Sequence, residues 1–81
     1  MRVWTTLEAV VQDGRIAEKL MGIRETVPEV FEVKKMRRSG IYMVEVETPD
    51  LSGAGKVIAS LSKNLPGAQL KTFATRYISD D

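Results

Sequence analysis

Three groupings of side chains have the types and spacings from which chemistry is built. Glu8, Glu45 and Glu47 fall at outward positions of alternating segments, where paired carboxylates could serve acid–base work or a hard cation. No convergent second group accompanies them, so surface charge is the simpler account. Gly53-Ala54-Gly55-Lys56 invites comparison with a phosphate-cradling loop. That loop needs Gly-x4-Gly-Lys-Ser/Thr, whereas position 50 is Asp and position 57 is Val. A flexible first helical turn explains the stretch, with at most a loose anion site on the helix N-terminus. The third grouping is Lys34-Lys35-Met36-Arg37-Arg38, four positive charges in five residues. It reads either as a basic tip for nucleic acid or an acidic partner, or as an edge strand on which lysine discourages unwanted pairing.

What the chain lacks narrows the chemistry further. Its 81 residues include no Cys and no His. Disulfides, Cys/His zinc sites, thiol nucleophiles and imidazole bases are therefore excluded. Neither a metal nor a cofactor is expected, and a non-enzymatic role is the expectation. A domain this short buries roughly 60 to 65% of the surface of its unfolded chain. Small domains are reinforced by disulfides, metals or oligomerisation, and oligomerisation is the one left. The balance of 12 Lys+Arg against 11 Asp+Glu, net +1, disfavours a general nucleic-acid binder. With no long apolar run and no signal-peptide pattern at Met1-Arg2, a cytoplasmic protein is expected.

The elements that must position these groups can be read from periodicity. From Arg2 to Gln12, Val3, Thr5, Leu7, Ala9 and Val11 alternate with Trp4, Thr6, Glu8, Val10 and Gln12, a strand. Asp13 is placed to cap a helix whose stripe is Ile16, Leu20, Ile23 and Val27, ended by Pro28. Residues 30–38 and 41–48 read as a hairpin about Ser39-Gly40. Counting outward pairs Arg38 with Ile41, Met36 with Met43, Lys34 with Glu45 and Val33 with Val46. Phe31, Val33, Tyr42, Val44 and Val46 then share the core face. Val57, Ile58, Leu61 and Leu65 mark a second helix between Pro49-Asp50 and Leu65-Pro66-Gly67. A last strand runs from about Gln69 to Ile78, before a polar Ser79-Asp80-Asp81 tail. Strand, helix, hairpin, helix, strand is the α+β, ferredoxin-like split βαβ order: a four-stranded antiparallel sheet with two helices on one face. Residues 1–81 form a single domain.

The far face of that sheet is the anomaly. If Val3, Leu7, Val44 and Val46 face the helices, then Trp4, Val10, Met36, Ile41 and Met43 face away. A solvated sheet face should be mostly polar, and an exposed apolar patch marks an interaction site. Pairing of two copies through this face is expected. Its glutamates argue against RNA binding, because an RNA-binding sheet presents aromatics and basic residues on its central strands.

The second half of the chain resembles a known family. Val46-Glu47-Thr48-Pro49-Asp50-Leu51-Ser52, Lys56-Val57-Ile58 with Leu61, and Leu65-Pro66-Gly67-Ala68 are similar to the effector (RAM, ACT-like) domain of Lrp/AsnC transcription regulators. Val27-Pro28-Glu29-Val30 looks like that family's turn after its first helix. The resemblance implies a stand-alone effector domain without the family's N-terminal helix-turn-helix. Such a domain would form dimers or a ring, commonly an octamer, and would act in transcription regulation, with a DNA-binding paralogue as a partner. It also implies an amino-acid effector between dimers, near the hairpin, at a Gly-x-aromatic-Asp type motif. Gly40 and Tyr42 match that motif, but Met43 stands where the acidic residue is usual. A methionine cannot meet a ligand's ammonium group, so either amino-acid sensing is lost or the ligand differs. Thr72 fills the first position of the family's Thr-x-Thr on the last strand, with Ala74 in the second.

The expectation is a regulatory or assembly module, oligomerising through its sheet face, with an effector site at Gly40, Tyr42, Met43 and Thr72. The alternative is an adaptor that binds nucleic acid or an acidic partner through Lys34, Lys35, Arg37 and Arg38. A small carboxylate enzyme comes third.

Overall fold

The computed structural model describes residues 1–79; Asp80 and Asp81 of the expected polar tail lie outside the described residues. Six elements follow in the order β1 (Arg2–Val10), α1 (Gly14–Met21), β2 (Val30–Lys35), β3 (Ile41–Thr48), α2 (Leu51–Asn64) and β4 (Gln69–Ile78). The strands form one antiparallel sheet in the order β2-β3-β1-β4. This is the ferredoxin-like α+β arrangement.

The alternation along β1 and β3 decides which side the helices cover. Val3, Leu7 and Ala9 of β1 and Tyr42, Val44 and Val46 of β3 are buried. All of these except Val3 join Leu20, Val57, Leu61 and Leu65, from the helical layer and its boundaries, in one core cluster. Leu7 lies directly opposite Val44 in the β1–β3 register. Burying aliphatic side chains of this size stabilises the fold by about 1.5–3 kcal/mol each.

Both helices are capped by aspartates: Asp13, as its position suggested, and Asp50, at the expected opening of the second helix. Asp13 accepts a hydrogen bond from the Arg15 amide at 2.8 Å, and Asp50 accepts one from the Gly53 amide at 2.7 Å. The Thr48 hydroxyl donates to the Asp50 carbonyl at 2.8 Å, tying the end of β3 to the start of α2. Asp50→Ala leaves an amide of the first turn without its side-chain partner. It is expected to cost about 1 kcal/mol, lowering the thermal midpoint by about 4–8 °C. A calorimetric melt checks this.

Three expectations need correction. The first helix does not run to Pro28. It ends at Met21, Gly22 caps it, and Ile23–Glu25 form a short 3-10 turn. Glycine disfavours the helix by about 1 kcal/mol relative to alanine, and the Val27 amide bonds back to the Ile23 carbonyl at 2.7 Å. Ile23 and Val27 still reach the core, so the apolar stripe was right about burial and wrong about the helix end.

The hairpin turns at Ser39-Gly40, where the Ile41 amide donates to the Arg38 carbonyl at 3.3 Å, but the strand ladder does not resume directly beside that turn. β2 stops at Lys35, the Met36 amide donates to the Ile41 carbonyl at 2.9 Å, and residues 37–40 form the loop. The observed pairs are Lys35 with Tyr42, Lys34 with Met43 and Val33 with Val44. Lys34 therefore does not face Glu45; Glu32 does. The slip is two residues, so from Val33 to Lys35 every side chain keeps its face.

Phe31 is the third correction. The register shifts between Val30 and Glu32, a bulge that gives the buried position to Val30. Phe31 is placed on the opposite, outer face, where its ring lies 5.3 Å from that of Trp4.

Candidate functional site: the outer face of the sheet

Neither helix covers the face of the sheet opposite the core. Trp4, Thr6 and Glu8 of β1 lie on it beside Met43, Glu45 and Glu47 of β3, paired in register. A second register shift, between Thr6 and Leu7 on the β1–β4 side, accompanies Phe73 of β4, whose side chain is 67% exposed on this face. Four of the five residues expected on the outer face, Trp4, Met36, Ile41 and Met43, stand there together. Phe31 and Phe73 join them, and periodicity alone missed both. Val10 has the parity of this face but sits at the end of β1, lining a separate cleft with Asp13, Ile16 and Pro66.

The face has two ends of different character. At one end Trp4 is held on three sides. Its indole N–H donates to the Glu47 carboxylate at 2.6 Å, the Arg76 guanidinium lies 5.4 Å from its ring centroid, and Phe31 packs at 48° to it. Arg2 forms an ion pair with Glu47 at 3.2 Å, partly exposed and worth little by itself. The indole is thus fixed before any partner arrives, which lowers the entropy cost of using it as an anchor. At the other end Met36, Ile41, Met43 and Phe73 surround an open groove of about 540 Å³, with Arg37 and Arg38 on its rim.

The three carboxylates that opened the sequence reading are spread along this face. Glu47 is taken up by Trp4 and Arg2, and Glu45 accepts a long 3.5 Å contact from the Thr6 hydroxyl. Glu8 faces Met43 on one side and Lys71 on the other. Among the described residues no cluster of three or more acidic side chains could hold a metal ion.

The basic stretch is divided. Lys34 lies on the outer face, Lys35 lines a cleft on the helix side with Tyr42, and Arg37 and Arg38 belong to the loop. β2 is an edge strand, so the charge-protected-edge reading fits the location of Lys34 and Lys35.

The four expected effector residues are not brought together within one chain. Gly40 and Tyr42 line a helix-side cleft of about 330 Å³, whereas Met43 points to the opposite face. Thr72 lies across β1, opposite Leu7, which itself pairs with Val44. Gly40 also has a backbone reason to be glycine. Its φ is +81°, and a Cβ there would lie 2.9 Å from the Val11 carbonyl oxygen.

No family profile matches the sequence, and no curated protein matches it. Among solved structures, PH0061 matches over 90% of this chain with a TM-score of 0.68 at 14% identity. The match spans 52% of PH0061's own chain, so this chain corresponds to about half of that protein. The likeness shows the fold. No helix of the described residues is long and apolar enough to cross a membrane.

Proposed function

We propose that the protein is a non-enzymatic regulatory or assembly domain of the Lrp/AsnC effector kind, which pairs with a second copy through its outer sheet face. One observation carries the reading. Six large apolar side chains, Trp4, Phe31, Met36, Ile41, Met43 and Phe73, gather on a face that its own helices leave bare. Contiguous patches of this kind mark interaction surfaces, and a chain without disulfide capacity gains most from burying them. A ring of such dimers is the higher assembly the resemblance implies, the cytoplasm its compartment, and transcription regulation with a DNA-binding paralogue its setting.

An effector would enter beside Gly40 and Tyr42, at a cleft completed by a neighbouring subunit, since one chain keeps Met43 and Thr72 apart from them. A thermal-shift screen against the twenty amino acids tests this. A ligand at 100 times its dissociation constant adds about 2.7 kcal/mol, which raises the midpoint of a domain this small by about 10 °C or more. A flat panel with the dimer intact would leave assembly as the function and remove amino-acid sensing.

The alternative, a nucleic-acid or acidic-partner adaptor, draws on Arg37 and Arg38, both exposed in the loop. It is weaker because Lys34 and Lys35 point to opposite faces and cannot act with them as one patch.

A further inference from the structure

The geometry points to a ligand site in the groove at the loop end of the outer face, for a small amphiphile with an apolar body and a carboxylate head. The floor is apolar and comes from two strands and the residue that follows β2: Ile41 and Met43 of β3, Phe73 of β4, and Met36. Its volume, about 540 Å³, lies within the range of small-molecule pockets, roughly 300–1,000 Å³. Two of the four side chains are methionines, whose flexible thioethers adapt to the shape of an apolar guest.

The rim supplies the sign of the head group. Arg37 and Arg38 stand on it, both exposed, and neither makes an ion pair among the described residues. Glu8 is the one acid lining the groove, and Lys71 lies directly opposite it across β1 and β4, offsetting its charge. The uncompensated charge is that of two guanidiniums, whose planar donors suit a carboxylate better than a hydroxyl or an ammonium. Two local irregularities build the site. The register shift beside Thr6 and Leu7 accompanies the turn of Phe73 onto this face, and the loop of residues 37–40 carries both arginines to the groove's end.

The groove floor is part of the face proposed to pair, so a ligand and a second copy compete for Met36, Ile41, Met43 and Phe73. Octanoate, octanol and octylamine share one body and differ in the head, and calorimetric titration of each into the full chain reads the preference. Octanoate is expected to bind at least about tenfold tighter than octanol, the gain of a charge-assisted hydrogen bond, and octylamine no tighter than octanol. Arg37→Ala/Arg38→Ala alters only exposed loop side chains. It should bring octanoate down to the level of octanol while octanol is unchanged. Phe73→Ala should weaken both. Equal affinities in the parent, or a preference that survives in the double variant, would overturn the proposal. Sedimentation with saturating octanoate should show a shift toward monomer, and a parent that stays dimeric and binds none of the three would likewise overturn it. A monomeric mass for the ligand-free parent, measured by sedimentation, would instead count against pairing and leave the head-group result standing.

Discussion

On the proposed pairing through the outer sheet face, the parent sediments as a dimer and Met43→Lys is expected to sediment as a monomer. Met43 is half-buried on β3 at the centre of the outer face, with Glu8 opposite on one side and Lys34 on the other. Within one chain, a lysine there meets one neighbour of each sign and stays in water, so the monomer's fold is spared. Between two sheets, the same ammonium loses its water and has no partner of its own. Such a charge at a buried anchor costs about 3–5 kcal/mol, a hundredfold or more in the dimer constant.

The stability readout is as informative as the mass. A dimer's melting midpoint rises with protein concentration, because association adds to the folded state by mass action. The parent should show that dependence and Met43→Lys should lose it. A parent that sediments as a monomer at tens of micromolar, or a variant with unchanged mass and melting behaviour, would sink the sheet-face reading. Trp4→Lys is a less clean probe, since it also breaks the indole's bonds to Glu47, Phe31 and Arg76 inside one chain.

How this face was legible in the sequence, and how far, follows from strand geometry. Period-two alternation places Trp4, Ile41 and Met43 on one side because nothing interrupts β1 against β3, whose register runs unbroken from Val3–Thr48 to Val10–Ile41. The same rule misplaced Phe31, because one extra residue beside it inverts the alternation and Val30 takes the buried position. Phe73 escaped notice for the same reason, on the other edge. A bulge has no required residue type, so a single sequence carries no signal for it. The hairpin error was of another kind. Ser39-Gly40 does form the tight turn, with the Ile41 amide donating to the Arg38 carbonyl at 3.3 Å, but the Met36 amide also returns to the Ile41 carbonyl, so the ladder beyond the turn is two residues out of the simple count. The cap at Asp13, the opening of the second helix at Pro49-Asp50 and the bounds of β4 were readable because they rest on local chemistry alone. The candidate effector residues are the opposite case. Their meeting depends on a second subunit, and no pattern within one chain encodes that.

Gly40→Ala is expected to cost about 2–4 kcal/mol, whatever the effector proves to be. Part of the loss is conformational: φ at +81° lies in the region that a side chain with a Cβ adopts at a cost of about 1–2 kcal/mol. The rest is a collision. The Gly40 carbonyl accepts from the Val11 amide at 2.7 Å, and the new methyl would sit 2.9 Å from the Val11 carbonyl oxygen. Relief requires separating the loop from the end of β1, which breaks that bond and opens the cleft that Tyr42 lines. Against a total stability of about 5–15 kcal/mol, the midpoint should fall by about 10–20 °C. Gly67→Ala is the control, since Gly67 has φ +89° but nothing within 4 Å of its would-be Cβ. It should lose the conformational part alone. An equal loss at the two positions would mean that the Val11 junction yields freely, leaving backbone conformation as the sole demand for glycine. A larger loss at Gly40 would assign it a packing role that exists without any ligand, so its match to an effector motif would no longer count as evidence for one.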